Sequence, residues 1–313
     1  MFAGDTIPMP QPDEPIYGHI DLHTHSFYSD GSASPRTLLE EARRKGLSAV
    51  ALTDHDTVSG VPDFLAAAQD FPEIEAIPGV ELSSLYAARE LHIVGLWVDH
   101  SCPELISYLE EQRQKRCVRN ETMRKKLISL GYSFDWDEPE FDKVEFSNIG
   151  RPHIANVMCR KYGFASTQEV FEKLIGHNRG AYVRRDLPYP SQAIAAIRSA
   201  GGVAVWAHPT YRERNERQFV KKMARRLAER GLGGIEAFYT LFGPNETRMV
   251  TEIAELTGLA RSGGSDWHGD NSPGIEVGTG KGGLRVPEEL LVQLRAARCS
   301  GKCVTPPAQN GEV

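Results

Sequence analysis

The sequence predicts an α/β protein in which a βα domain, about 16–102 plus 201–304, is interrupted by a helical insertion of about 103–200. Three observations predict it. From Gly18 to Val98 short apolar runs alternate with amphipathic helical stretches. Strand signals fade after His100 and return at Gly202. The insertion carries sixteen Lys+Arg against thirteen Asp+Glu, whereas the rest carries twenty against twenty-nine. A basic cap over an acidic pocket is one reading of that split; a solvated helix face is the other, and it suits most of Arg113, Lys115, Arg116, Arg119, Arg124, Lys125 and Lys126.

Each element has its own signal. His19 to His23 reads as a first strand. Ser34 is placed to cap a helix with Pro35 at its first position, Leu38, Leu39, Ala42 and Leu47 as its apolar stripe, and Gly46 as its stop. Further strands are expected at Ala49–Leu52, Glu75–Ile77 and Leu91–Leu96. Pro103 to Leu130 reads as one long helix, and strands resume at Gly202–Trp206, Gly234–Phe238 and Leu259–Gly264.

Composition excludes several classes. With 40% hydrophobic and 25% charged residues over 313 positions, disorder and collagen-like repeats are ruled out. No apolar run approaches the ~20 residues of a membrane helix, and Met1–Pro15 lacks the basic and apolar regions of a signal peptide. Both ends, including Thr305–Val313, read as flexible extensions. The five scattered cysteines predict reduced thiols and a cytoplasmic protein. Cys299 and Cys303, the one close pair, match no common zinc spacing and receive no role.

The chemistry lies in the histidines. His23 and His25 sit two apart, so both can face one side of an extended strand end. Asp266-Trp267-His268 repeats that spacing with a carboxylate. One His-x-His alone reads as a structural pair. Joined by Asp30, His55, Glu81, His92 and His208 at expected strand ends, it reads as a metal centre, and nine ligands exceed what one ion needs. Imidazole with carboxylate suits Mn²⁺, Zn²⁺ or Fe²⁺ over Mg²⁺ or Ca²⁺. Asp54 and Asp56 are expected to point away from His55 and to orient the turn.

Asp21-Leu22-His23-Thr24-His25-Ser26 with Ser29-Asp30-Gly31, Thr53-Asp54-His55-Asp56, Pro78-Gly79-Val80-Glu81, Ala207-His208-Pro209 and Ser265-Asp266-Trp267-His268 together resemble the PHP (polymerase and histidinol phosphatase) superfamily. The resemblance spans the whole βα domain. It implies a distorted (β/α)7 barrel with a trinuclear metal centre at the C-terminal rim of its strands. It further implies one metal at His23, His25, Glu81 and Asp266, a second at Asp30, His55 and His268, and a third at Glu81, His92 and His208, with Glu81 bridging. His23, His25, Glu81 and Asp266 then form the catalytic set. The implied cofactors are three divalent ions, Mn²⁺ foremost, and the implied chemistry is attack on phosphorus by a metal-shared hydroxide without a protein nucleophile.

The insertion narrows the resemblance. Asn148-Ile149-Gly150-Arg151-Pro152-His153-Ile154-Ala155 and Gly180-Ala181-Tyr182-Val183 resemble the cap of stand-alone PHP phosphoesterases, which act on nucleoside 3′,5′-bisphosphates or on 5′-phosphorylated oligoribonucleotides. The implied partner is therefore a small phosphorylated nucleotide or a short RNA end, with no membrane and no obligate protein partner. Arg151 and His153 are the foremost phosphate-binding candidates, with Arg116 and Arg119 behind them; a simple helix entry at Pro152 is the plainer reading. A histidinol-phosphate phosphatase and a non-catalytic metal-binding module are the rival functions. His19, His100 and His177 are expected to be structural, and Trp206 and Trp267 to pack rather than stack on bases.

Overall fold

The computed structural model describes residues 18–87, 89–142, 149–210 and 217–299. Asn148, Cys303 and both chain ends lie outside them. Seven strands follow in spatial order β1 to β7, interleaved with helices: β1 (His19–Asp21), α1 (Pro35–Arg44), β2 (Leu47–Leu52), α2 (Val61–Ala67), β3 (Glu75–Tyr86), β4 (Arg89–Leu96), α3 (Pro103–Ser129), α4 (Arg151–Tyr162), α5 (Thr167–Val170), α6 (Pro190–Ser199), β5 (Val203–Trp206), α7 (Arg217–Glu229), β6 (Gly234–Tyr239), α8 (Pro244–Thr257), β7 (Ala260–Gly264) and α9 (Leu290–Cys299).

The distortion of the barrel has a local cause. β1, β2 and β3 are parallel, as are β5, β6 and β7, but β4 runs antiparallel to both its neighbours. The turn between β3 and β4 is far too short for the crossover that a parallel pair requires, so the two strands form a hairpin. β3 also continues beyond the expected Ile77, through Pro78 and Gly79 to Tyr86. Glu81 and His92 therefore lie within paired strands, with Ser83 opposite His92, rather than at strand ends.

Closure is made by backbone. Leu22 N–H donates to the Gly263 carbonyl at 3.1 Å, and Asp266 N–H to that of His23 at 2.8 Å. A Cβ on Gly264 would lie 2.3 Å from that of His23, so only glycine permits this approach.

Alternation along the strands sorts the core. Ala49, Ala51, Val203 and Val205 join a cluster with Ile20, Leu22 and α9 residues Leu290 and Leu294. Val50 and Leu52 face Leu38, Leu39 and Phe64 on α1 and α2. Ala204 and Trp206 face α6 to α8, as a period of two demands. A separate apolar cluster, from Met123 to Ala181, is made by the second half of α3, α4, α5 and the loops about them. The first half of α3, at Leu105 and Leu109, and α6, at Ile194 and Ile197, pack on the barrel instead. As expected, Ser34 accepts from Thr37 N–H at the start of α1 and Pro35 opens the helix.

Candidate metal centre

The candidate ligands are carried by backbone that the sheet holds in place. His23 and His25 follow β1 in an extended segment whose middle residue, Thr24, bridges to Trp267. His55 follows β2 and bridges to Glu81 on β3: Glu81 N–H donates to the Asp54 carbonyl at 3.1 Å and Asp56 N–H to the Glu81 carbonyl at 2.9 Å. His208 follows β5 and Asp266 follows β7, with φ of 29° and 57°. These are left-handed conformations that non-glycine residues seldom adopt, and such strain gathers at functional sites.

Glu81, fully buried, is the hub. His23 Nε2, His25 Nε2 and His55 Nδ1 approach its Oε2 at 3.2, 3.4 and 3.0 Å. Its Oε1 lies 2.9 Å from His92 Nδ1 and 3.1 Å from His208 Nε2. Burial opposes ionisation of Glu81, yet His55, His23 and His92 hold its carboxyl well below the usual range. The first group of contacts is not a hydrogen-bond network, because His23 Nε2, His25 Nε2, His55 Nδ1 and Glu81 Oε2 are buried without any hydrogen-bond partner. Buried polar atoms left so are rare. Their convergence on one small volume is what a divalent cation fits.

Three overlapping sets place their donor atoms within 4.8 Å of one another: His23, His25, Glu81 and Asp266; His25, Asp30, His55 and His268; and His55, Glu81 and His92. The first has the composition expected from sequence. The second adds His25 to the expected trio. The third contains His55, while His208 reaches Glu81 from the other side. These sets are candidate seats for divalent metal. Burial, together with His268 and His55, pushes His25 down to about 3, so it stays neutral with one ring-nitrogen lone pair for ligation.

Neighbouring side chains orient the donors. His268 Nδ1 donates to the Asp266 carbonyl at 2.9 Å, which turns Nε2 toward Asp30 at 3.3 Å. Tyr239 donates its hydroxyl to Asp266 Oδ2 at 2.9 Å. Asp54 turns away from His55, accepting from Ser26 N–H and from the Ser26 and Ser29 hydroxyls at 2.6–2.7 Å. Trp206 and Trp267 are buried in apolar clusters, and His19, His100 and His177 belong to none of the three sets.

Beside Asp30, His55 and His92 a pocket opens between barrel and insertion, and Arg116, Arg119, Arg151 and His153 all line it. Arg119 stands out: it is buried, and its Nε and Nη1 have no hydrogen-bond partner. Burial and the cations of Arg185, Arg116 and Arg151 disfavour its charge. Arg116 instead ion-pairs with Asp56. Arg151 lies 5.5 Å from the Phe171 ring. His153 Nδ1 accepts from Gly150 N–H at 2.9 Å at the start of α4, so the helix-entry role is real and Nε2 remains for another partner. Sequence reasoning missed Arg185, which donates to Asp56 at 2.8 Å and lines the same pocket. It also missed Glu236, whose signal was one carboxylate inside an apolar strand.

Residues 21–200 match the PHP domain family. The chain is 31% identical over 262 residues to the 3′,5′-nucleoside bisphosphate phosphatase of Chromobacterium violaceum, covering 83% of this chain and 90% of that one. It is 31% identical over 248 residues to a 5′-3′ exoribonuclease of Haemophilus influenzae, covering 79% and 89%. A solved structure from Bifidobacterium adolescentis, described as a metal-dependent phosphoesterase, superposes with a TM-score of 0.79 at 28% identity over 91% of this chain and 98% of that one. With the family match across more than half its length and these relatives spanned nearly end to end, the chain belongs to the PHP domain family.

Proposed function

We propose that the protein is a metal-dependent phosphoesterase acting on small nucleotides, such as nucleoside 3′,5′-bisphosphates, or on 5′-phosphorylated ends of short RNA. One observation carries the reading: nine converging imidazole and carboxylate ligands border a pocket lined by arginines. The relatives named above act on the same chemical class.

The proposed ligands are His23, His25, Glu81 and Asp266 for one ion, Asp30, His55 and His268 for a second, and Glu81, His92 and His208 for a third, with Mn²⁺ as the favoured metal. His25 and His55 each lie close enough to serve a second set. Such ions supply an activated hydroxide and neutralise phosphoryl oxygens. The chain's own side chains do the rest. Arg119 and Arg151 hold phosphate oxygens in the pocket, as planar guanidinium groups do well, and His153 Nε2 donates to a phosphate oxygen. Arg116 is kept by Asp56 and contributes mainly positive potential. The 103–200 insertion, over the barrel formed by 16–102 and 201–304, shields the reacting group from water. No helix among the described residues is long and apolar enough to cross a membrane; we place the protein in the cytoplasm on its scattered thiols.

The test is phosphate release and product sizing with Mn²⁺-supplemented protein. It compares adenosine 3′,5′-bisphosphate, a 5′-phosphorylated short RNA, its 5′-hydroxyl twin and histidinol phosphate, with His25→Ala as control. Turnover of the first two, lost in the variant, is expected. Turnover of histidinol phosphate alone replaces the substrate assignment, and no turnover by metal-replete protein overturns the enzymatic reading.

A further inference from the structure

β6 contains one carboxylate between buried apolar neighbours: Ile235 and Ala237 are fully buried and Glu236 is 2% exposed. A carboxylate in such a place needs donors for both oxygens. It has them, from the segments that follow two different strands. His23 Nδ1 lies 3.1 Å from Oε1, and the backbone N–H of His208 donates to Oε2 at 2.6 Å. Glu236 belongs to none of the three ligating sets.

We infer that Glu236 is a positioning residue that presets two metal-facing histidines at once, His23 after β1 and His208 after β5. The inference rests on the reading of the Glu81 cluster as a divalent-metal centre. A carboxylate only accepts, so the His23 proton sits on Nδ1 and the lone pair on Nε2. That Nε2 is the atom 3.2 Å from Glu81 and 3.5 Å from Asp266. At His208 the same carboxylate anchors a backbone with φ of 29°, a conformation with a cost that needs an offsetting contact. The anchored turn places His208 Nε2 3.1 Å from Glu81 Oε1. One side chain thus aligns donors on opposite oxygens of the hub.

The arrangement needs a carboxylate rather than an amide. Glutamine has the same shape but one acceptor and one donor. With its oxygen toward His208, its NH₂ faces His23 and drives the ring to the tautomer protonated on Nε2. With its oxygen toward His23, its NH₂ meets the His208 N–H donor to donor. Either orientation spoils one ligand.

The test is Mn²⁺ titration calorimetry and metal content by elemental mass spectrometry on apo wild type and Glu236→Gln. We expect the variant to fold, with a melting temperature near that of the apo wild type. Its Mn²⁺ affinity falls about ten- to hundredfold, the range for loss of a group orienting a ligand. A folded variant with unchanged affinity and stoichiometry overturns the inference. If the variant does not fold, nitrogen-15 NMR of the histidine rings in Zn²⁺-loaded wild type decides: Nδ1 protonated and Nε2 metal-bound at His23 supports it, and the reverse overturns it. Wild type without saturable metal uptake overturns the phosphoesterase reading and this inference together, whereas binding by wild type and variant alike overturns this inference alone.

Discussion

Asp56, in the turn after β2, forms a buried ion pair with Arg116 of α3, sixty residues further along the chain. Arg185 joins them at 2.8 Å, and Asp56 also accepts from Ser83 N–H at 2.9 Å. Burial disfavours the charge, but the two guanidinium groups hold Asp56 down at about 2. Because the N–H of Asp56 donates to the Glu81 carbonyl, this cluster couples the long helix to the backbone that carries His55.

Removing the charge alone is therefore informative. Asn accepts the φ of 52° at this position as readily as Asp, so Asp56→Asn leaves the turn intact and the buried Arg116 without its anion, while Arg185, partly exposed, keeps Glu90 at 3.3 Å. The expected loss is about 3–5 kcal/mol of stability, read by urea denaturation. A loss below ~1 kcal/mol would mean that Arg116 is satisfied elsewhere.

Arg119 is expected to behave in the opposite way. The two buried guanidinium nitrogens that lack partners cost the folded state, so Arg119→Met holds or raises the melting temperature. The same change raises KM for the nucleotide substrate by about ten- to hundredfold with little effect on kcat, the scale of one charged hydrogen bond. Lower stability with unaltered KM would assign Arg119 to the scaffold.

Closure of the barrel depends on Gly264. Ala there puts a methyl 2.5 Å from His23 N, an overlap that costs about 1–3 kcal/mol and displaces a ligand. Gly264→Ala is expected to lower both the melting temperature and the bound metal. Unchanged metal content would show that β1 and β7 can part without moving His23.

The helical cluster between Met123 and Ala181 offers a test of the insertion as its own unit. Ile154 is fully buried within it, and Ile154→Ala is expected to cost about 2–5 kcal/mol. Hydrogen exchange should then rise first at amides of α4 and the second half of α3, while β2 keeps its protection. A uniform rise across β2 and α4 would show one cooperative unit.

Much of this site was readable from the chain because ligation demands particular side chains. His23, His25, His55 and His208 follow strands, where the backbone reverses and side chains converge, so their types and spacing reveal them. Glu81 and His92 follow no strand end: they sit inside a hairpin. Their identity was visible, but not the continuation of β3 through Pro78 and Gly79, since both residues read locally as a turn.

What needed the folded chain was partnership across long separations. Glu236 and His23 are 213 residues apart, and Arg185 and Asp56 are 129; no local period links either pair. Arg119 was named from sequence as a secondary phosphate candidate, but only packing of the helix against the pocket shows it buried with two nitrogens unpartnered. Side-chain chemistry and alternation are written in the chain, so the candidate ligands and the α/β class follow from it. Which charges are buried, which are paired and which are left for a ligand depends on desolvation, and only packing decides that.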